Sequence, residues 1–208
     1  MNSKEKIISA AIEIFSQKGK HGARMEEIAK KAGVNKSVVY YYHTNKENLY
    51  RDVLKKIYFE NFKYLFNEFE KIQSEKEDHI KRIETIIRAI SKFFSDNPFY
   101  TRIMKNALAN EAVDVQYVIR LLKAEHDFIH PEKVLGLLEE GISQKAYRNI
   151  DVKQTIISII GITMIYFIGK PIMEIMLGLD SIDEDVFLKE RQESVVDLIL
   201  YGLVNRPE

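Results

Sequence analysis

The 208-residue sequence predicts an all-α protein, and three observations support this fold class. Apolar residues recur at the spacing of one helix face through nearly the whole chain. No segment alternates apolar and polar residues with the period of two that a strand requires. Glycine, proline and short polar runs interrupt the pattern where helices are expected to end.

Ten helices follow from this pattern. The apolar stripe from Ile7 to Phe15 predicts a first helix that stops at Gly19. A second short helix ends at Gly33, and a third covers about residues 36–43. The remaining stripes predict helices over about residues 46–72, 80–94, 99–108, 113–128, 132–143, 152–168 and 185–204.

The charges divide the chain into two unlike regions. The 31 Lys and Arg balance the 31 Asp and Glu, so the net charge is zero. Residues 1–56 nevertheless hold twelve basic and six acidic residues, a net charge of +6, which leaves −6 on the rest. Such an asymmetry suggests a polyanion-binding segment on an acidic body. The charge changes sign near residue 56, so we expect a functional boundary in this part of the chain, with a first domain at residues 1–46 and a second helical domain at residues 47–208.

Several classes of protein are disfavoured by what the sequence lacks. It contains no Cys, so disulfides, thiol catalysis and Cys-ligated zinc are excluded. Charged residues begin at Lys4 with no apolar signal region, which favours a cytoplasmic location. No Gly-rich phosphate loop, G-x-S-x-G or H-E-x-x-H motif is present, so we expect neither an enzyme nor a cofactor. An all-α interaction protein remains an alternative.

The uncharged run from Gln154 to Gly169 is 16 residues long and rich in Ile. A bilayer span needs about 20 apolar residues, and Gly169, Lys170 and Pro171 close this run. A helix that is apolar on all sides is either embedded in a membrane or buried in protein. We expect burial, partly against another subunit, and no membrane.

Residues 25–43 have the pattern of a helix-turn-helix. Gly33 can adopt the left-handed conformation of a tight turn between two short helices. Four small or apolar residues would pack the helices together: Ile28, Ala29, Val34 and Val39. The outer face of the second helix would expose Lys36, Ser37, Val38, Tyr41 and Tyr42. Such a helix fits the major groove, where Lys can read guanine and apolar groups meet the thymine methyl. A half-buried Tyr cluster beside a solvated Lys face is the alternative.

The N-terminal part of the sequence resembles a known family at many fixed positions. The matching positions are Lys4, Ile7, Ala11, Phe15 and Gly19, then Ile28, Ala29, Ala32, Gly33, Val34, Lys36, Tyr40, Tyr41, Lys46, Glu47 and Leu49. Over about residues 4–54 the chain resembles the N-terminal domain of the TetR family of transcriptional repressors. The resemblance implies that Lys36, Ser37, Val38 and Tyr41 face bases, and that Tyr40, Tyr42 and Lys46 contact phosphates.

Three positions depart from the family pattern. Arg24 stands where the family usually has a capping Thr or Ser; it cannot cap in that way, but its guanidinium could bind phosphate or enter the minor groove. His43 replaces a core Phe, and Ser37 replaces a small Gly or Pro. These changes affect operator sequence and local stability.

For the second domain, the resemblance implies a homodimer through helices 152–168 and 185–204, which would bind a palindromic double-stranded operator. It also implies release from DNA by a small-molecule effector. The candidate lining residues are Phe62, Phe66, Phe93, Phe94, Phe99, Tyr100, Met104, Tyr117, Tyr166 and Phe167. The same residues also fit an ordinary helical core, the commoner use of such side chains.

One cluster could suggest a metal. Glu125, His126 and His130 lie close in sequence, and histidines four residues apart can share a helix face. No third strong ligand is evident, and histidines at a helix end also interact with its dipole. We expect no metal site.

Overall fold

A computed structural model describes residues 2–74, 78–109, 112–125, 131–179 and 182–204. These ranges form ten α-helices and one isolated β-bridge between Tyr147 and Val204, with no β-strand. The helices are α1 Ser3–Gly22, α2 Met25–Ala32, α3 Lys36–Tyr42, α4 Lys46–Ser74, α5 His79–Asp96, α6 Pro98–Ala109, α7 Val113–Glu125, α8 Pro131–Ser143, α9 Val152–Leu177 and α10 Glu184–Leu203. The predicted all-α class is confirmed.

The chain forms two compact units. One comprises Met1–Phe62 and Asn97–Asp127, and the other comprises Lys63–Asp96 and Phe128–Glu208. The first unit therefore contains α1–α3, the start of α4, α6 and α7. The functional division expected at residue 46 stays a prediction, because compactness and function need not divide a chain at the same place.

The core of the first unit is built from α1–α4. Ile7, Phe15, Ile28, Val39 and Leu49 are almost completely buried. The first helix begins with a capping box, in which the Asn2 side chain accepts from the Glu5 amide and the Glu5 carboxylate accepts from the Asn2 amide. Helical geometry is interrupted at Gly19, whose φ is 67°, as its position in the sequence predicts.

The core of the second unit lies between α5, α8, α9 and α10. Its buried residues are Ile83, Ile87, Leu138, Tyr147, Ile159, Val195, Val196, Ile199 and Leu203. The Tyr147 ring lies directly against the backbone of Gly141: a Cβ there would be 2.2 Å from the ring. Glycine is therefore required at 141 for this packing.

Helix α9 departs from its prediction. The sequence predicts an end at Ile168 because Gly169, Lys170 and Pro171 follow, but the helix continues through Pro171 to Leu177. It ends at Gly178, which has a φ of 66° and donates its amide to the Glu174 carbonyl. The predicted boundary at 168 is wrong by two and a half turns.

Burial of α9 within the chain is also lower than its composition suggests. Only Ile159, Thr163 and Tyr166 are buried, whereas many other apolar residues of the helix are exposed. By length and composition alone, the helix could cross a membrane. The described residues of this chain therefore do not provide the burial that was expected for α9.

Candidate nucleic-acid interface

The turn between α2 and α3 has the geometry that the sequence predicts. Gly33 has φ 67° and ψ 34°, the left-handed conformation that other residues adopt at a cost. Its amide donates to the Lys30 carbonyl at 3.2 Å, and the Val34 amide donates to the Ala29 carbonyl at 3.1 Å. This hydrogen-bond pair closes α2 and lets α3 begin three residues later.

The inner face of the two helices fixes the orientation of α3. Ile28, Ala29 and Val39 are buried, and Val34 is half-buried. Val39 points into the core, so the residues on the opposite face of α3 must point outward. The structure thus confirms that these residues pack as a helix-turn-helix.

The outer face of α3 carries the residues expected to read DNA. The Tyr41 side chain is 82% exposed, whereas Tyr40 and Tyr42 are each 41% exposed. Lys36 and Ser37 are also exposed, and Val38 is half-buried. The rings of Tyr41 and Tyr42 meet edge to face at 5.1 Å. A half-buried Tyr cluster, the alternative interpretation, fits the exposure of Tyr40 and Tyr42 but not that of Tyr41.

Lys36 is held by two neighbours. Its ammonium forms an ion pair with Glu26 in the first turn of α2, and it lies 5.6 Å from the centre of the Tyr40 ring. The hydrogen bond between the two charged groups lowers the pKa of Glu26 and raises the pKa of Lys36. Both side chains are more than half exposed. The sequence suggested Lys36 as a base reader but gave no sign of this partner.

Lys46 has a structural role in addition to the expected phosphate contact. Its ammonium donates to the carbonyls of His21 at 3.1 Å and Ala23 at 3.3 Å. It therefore ties the start of α4 to the end of α1. An ammonium has three donors, so one remains for a phosphate.

Arg24 lies directly before α2. It makes no side-chain capping hydrogen bond, as expected for a residue without an acceptor. The side chain is exposed, so its guanidinium remains available to an anion.

His43 directly follows α3 and lies in the core, at the position where the resemblance predicts a Phe. Its side chain is buried, and its Nδ1 lies 2.8 Å from Asp52 Oδ2 on α4. Its Nε2 is buried without a hydrogen-bond partner among the described residues. The substitution therefore couples the end of α3 to α4 through one hydrogen bond, and leaves one polar atom unsatisfied.

The first unit also contains a charge cluster that sequence reasoning missed. Asp114, at the start of α7, accepts from Lys20 Nζ and from Arg51 Nε, each at 2.7 Å. The Arg51 guanidinium lies 4.7 Å from the centre of the Tyr117 ring. Burial alone would raise the pKa of Asp114, but the hydrogen bonds from Lys20 and Arg51 outweigh it and lower the pKa. The partners lie far apart in sequence, so no helical spacing could have revealed them.

The candidate effector residues are distributed over both units. Phe94, Met104 and Tyr166 are buried, whereas Phe99 and Tyr117 are exposed. The first unit holds Phe62, Phe99, Tyr100, Met104 and Tyr117, and the second holds Phe66, Phe93, Phe94, Tyr166 and Phe167. In the second unit Phe94 and Tyr166 each contact Phe167, with ring centres 5.7 and 5.5 Å apart. These contacts describe a local aromatic cluster.

Tyr100 shows a more specific arrangement in the first unit. Its hydroxyl donates to Glu60 at 2.6 Å, and burial and this carboxylate raise the pKa of Tyr100. This polar pair is the kind of group that can orient a ligand.

No metal site emerges from the described residues. Among them, no group of three His, Asp or Glu side chains is placed to hold a metal ion. His126 and His130 lie outside the described residues, and Glu125 forms an ion pair with Lys55.

Comparison with known proteins identifies the helix-turn-helix region. A family model described as bacterial regulatory proteins, tetR family, matches residues 7–53. These residues belong to the tetR family. The matched range covers most of α1, all of α2 and α3 and the start of α4, which is the region that carries the predicted DNA-facing residues.

Two curated HTH-type transcriptional relatives each match part of the chain. The transcriptional regulator RutR of Escherichia coli K12 is 52% identical over 54 residues, which cover 26% of this chain and 26% of RutR. The transcriptional repressor NicS of Pseudomonas putida is 29% identical over 103 residues, 49% of this chain and 46% of NicS. Each match thus spans less than half of its relative.

A solved structure resembles this chain over nearly its full length. The transcriptional regulator FadR of Bacillus subtilis, solved in complex with stearoyl-CoA, superposes with a TM-score of 0.71. This match covers 95% of this chain and 98% of FadR at 22% identity. At that identity the likeness shows the fold: an N-terminal tetR-type helix-turn-helix followed by a helical C-terminal domain.

Proposed function

We propose that this protein is a transcriptional regulator that binds double-stranded DNA as a homodimer. The observation that supports this most directly is the outward face of α3, where Tyr41 is 82% exposed within a domain of the tetR family. Tyr40 and Tyr42 are exposed beside it, and a group of neighbouring exposed apolar side chains marks an interaction surface, as a single one does not. The net charge of +6 over residues 1–56 suits the phosphate backbone as that partner.

Each side chain of the interface has an expected role. Lys36, Ser37, Val38 and Tyr41 face base edges in the major groove, where hydrogen bonds and contacts with the thymine methyl carry sequence information. The remaining residues bind phosphates and position the helix: Arg24, Tyr40, Tyr42 and Lys46. The hydroxyls of Tyr40 and Tyr42 are reachable because both residues remain exposed.

The apolar faces of α9 and α10 support the dimer. Several of their large apolar residues are exposed in the single chain: Ile157, Ile160, Ile165, Ile172, Ile175, Met176, Leu177, Val186, Leu198 and Tyr201. Exposed apolar patches of this kind mark interaction surfaces. A twofold dimer would place two copies of α3 about 34–36 Å apart, so the operator should be an inverted repeat.

The regulatory part of the proposal is repression relieved by a small molecule. A ligand can shift the DNA-binding equilibrium only if it binds the two states of the protein differently. FadR was solved with stearoyl-CoA and has the same fold. A long-chain acyl-CoA is therefore a sensible first ligand to test, alongside small apolar or cationic aromatic compounds.

A gel-shift experiment with DNA from upstream of the protein's own gene tests this function. We expect a specific complex that resists excess unrelated DNA and weakens steeply as salt is raised, since phosphate contacts release counterions. The titration is then repeated with stearoyl-CoA. Absent or salt-independent binding would contradict the proposal and favour an all-α interaction protein.

A further inference from the structure

Lys36, one of the residues proposed to read DNA, contacts two side chains of its own domain in the structure. Lys36 opens α3 and is the only charged residue of that helix. Its ammonium is bound to the Glu26 carboxylate and lies over the Tyr40 ring. A base or phosphate oxygen that binds Lys36 must therefore either share the ammonium with a carboxylate that is already bound to it or displace that carboxylate.

The position of Glu26 keeps this carboxylate charged. It lies in the first turn of α2, where the positive end of the helix dipole favours a negative side chain. Its bond with Lys36 lowers its pKa further, so the group is ionised at neutral pH. When Lys36 moves to DNA, an ionised Glu26 is left beside the phosphate backbone.

We propose that Glu26 competes with DNA for Lys36 and so sets the affinity of each DNA-binding head below the value its basic residues would allow. This inference rests on the proposed DNA-binding function. Carboxylate and phosphate oxygens are chemically similar acceptors for an ammonium. The competition is reversible because an exposed ion pair is weak and is readily exchanged.

The competition has a functional consequence for a dimer. The DNA-binding head of each subunit, residues 1–56, carries a net charge of only +6, in which Glu26 is already counted. A single head on DNA is then held weakly, and tight binding requires both heads to engage one operator. Multivalent binding amplifies weak single contacts when the geometry permits both.

Fluorescence anisotropy with a labelled mixed-sequence duplex tests the inference without knowledge of the operator. The proteins compared are wild type, Glu26→Gln, Lys36→Gln and the double variant. Glu47→Gln is the matched control, because it removes one exposed acid from the first turn of α4, with no ion pair to a described residue. Thermal unfolding of each variant verifies that folded proteins are compared.

We expect Glu26→Gln to bind the duplex about twofold to fivefold more tightly per head at low salt, the range of an exposed ion pair. The gain should shrink as salt rises, because salt screens both the ion pair and the repulsion of phosphate. It should exceed the gain of Glu47→Gln and disappear when Lys36 is already Gln.

Two results would overturn the inference. An equal gain from Glu26→Gln in the Lys36→Gln background would show that Glu26 acts only by its charge. The same holds if Glu26→Gln and Glu47→Gln have the same effect. If wild type and every variant fail to bind the duplex at low salt, the proposed DNA-binding function itself fails, which is a separate outcome.

Discussion

Tyr41 is the most exposed of the three tyrosines on α3, so its side chain contributes little to folding. We predict that Tyr41→Ala weakens binding to the specific DNA fragment by about tenfold, the lower part of the range for losing one base contact. The melting temperature should stay unchanged. Anisotropy titrations and thermal unfolding measure the two quantities.

The conservative variant Tyr41→Phe separates two kinds of contact. Retained affinity would assign the contact to the ring, whereas a loss equal to that of Tyr41→Ala would assign it to the hydroxyl. A Tyr41→Ala protein that binds DNA like wild type would contradict the placement of this residue at the bases.

The single residue His43 allows a test of the free energy of unfolding. Its buried Nε2 has no partner among the described residues, and an unsatisfied buried polar group costs about 1–3 kcal/mol. We predict that His43→Phe raises the free energy of unfolding by about 1 kcal/mol, because Asp52 is partly exposed and tolerates the loss of its partner. Urea denaturation measures the change.

The matched variant at this position is His43→Ala. It should lower the free energy of unfolding by about 3 kcal/mol, since it leaves a cavity where a large side chain was buried. If His43→Phe destabilised the protein as much as His43→Ala, the bond with Asp52 would matter more than the unsatisfied nitrogen.

Single residues also show the limits of prediction from sequence. The outward exposure of Tyr41 and the burial of Val39 follow from helical spacing, and the left-handed Gly33 follows from its place after an apolar stripe. The ion pair of Lys36 with Glu26 and the bonds of Lys46 to two carbonyls do not. These contacts depend on how separate helices pack, which a sequence pattern does not contain.

Among the elements, α9 shows the same limit. Proline in a helix removes one backbone hydrogen bond and favours a kink or an end, so a boundary before Pro171 was a reasonable prediction. The helix continues because an apolar segment follows and Gly178 provides a left-handed end. The extension adds exposed Ile172, Ile175 and Met176 to the surface that a dimer can bury.

The contact of α7 with α1 and α4 leads to a prediction about how strongly these helices stabilise one another. Asp114 bonds to both Lys20 and Arg51 and is mostly buried. We predict that Asp114→Asn lowers the free energy of unfolding by about 2 kcal/mol at neutral pH, the value typical of hydrogen bonds to charged groups. Asp96→Asn is the control: its exposed pair with Lys92 should contribute almost nothing.

The pH dependence of this effect has a definite sign. Folding lowers the pKa of Asp114, so its stabilisation is fully present above the unfolded-state pKa of about 4. It is lost as pH falls through the folded-state pKa. The difference between wild type and Asp114→Asn should therefore shrink below about pH 4. A difference that stays constant down to pH 3 would contradict this assignment.

At the scale of the whole molecule, the zero net charge is the sum of a basic N-terminal segment and an acidic remainder. The basic residues are concentrated in the first 56 residues, and the acidic excess lies in the rest. In the proposed function, this distribution would let the basic segment approach phosphate while the acidic excess is repelled by it. The sequence alone revealed this division, whereas the partners of individual lysines required the structure.

The dimer is the corresponding whole-molecule prediction. Ile165 on α9 and Leu198 on α10 are exposed in the single chain. We predict that the double variant Ile165→Glu and Leu198→Glu is monomeric in sedimentation velocity at micromolar concentration, where wild type is a dimer, because buried unpaired charges are costly. Gln154→Glu, an exposed polar position at the start of α9, should remain dimeric. A wild-type monomer would contradict the interface.

Selection of duplexes from a random DNA pool by the purified protein, followed by sequencing, tests the central claim most directly. A dimer with two copies of α3 predicts enrichment of an inverted repeat whose half-sites lie about one helical turn apart. Tyr41→Ala should lose or relax one position in each half-site. Absence of enrichment, or a single unrepeated motif, would contradict the account of a dimer that reads DNA through α3.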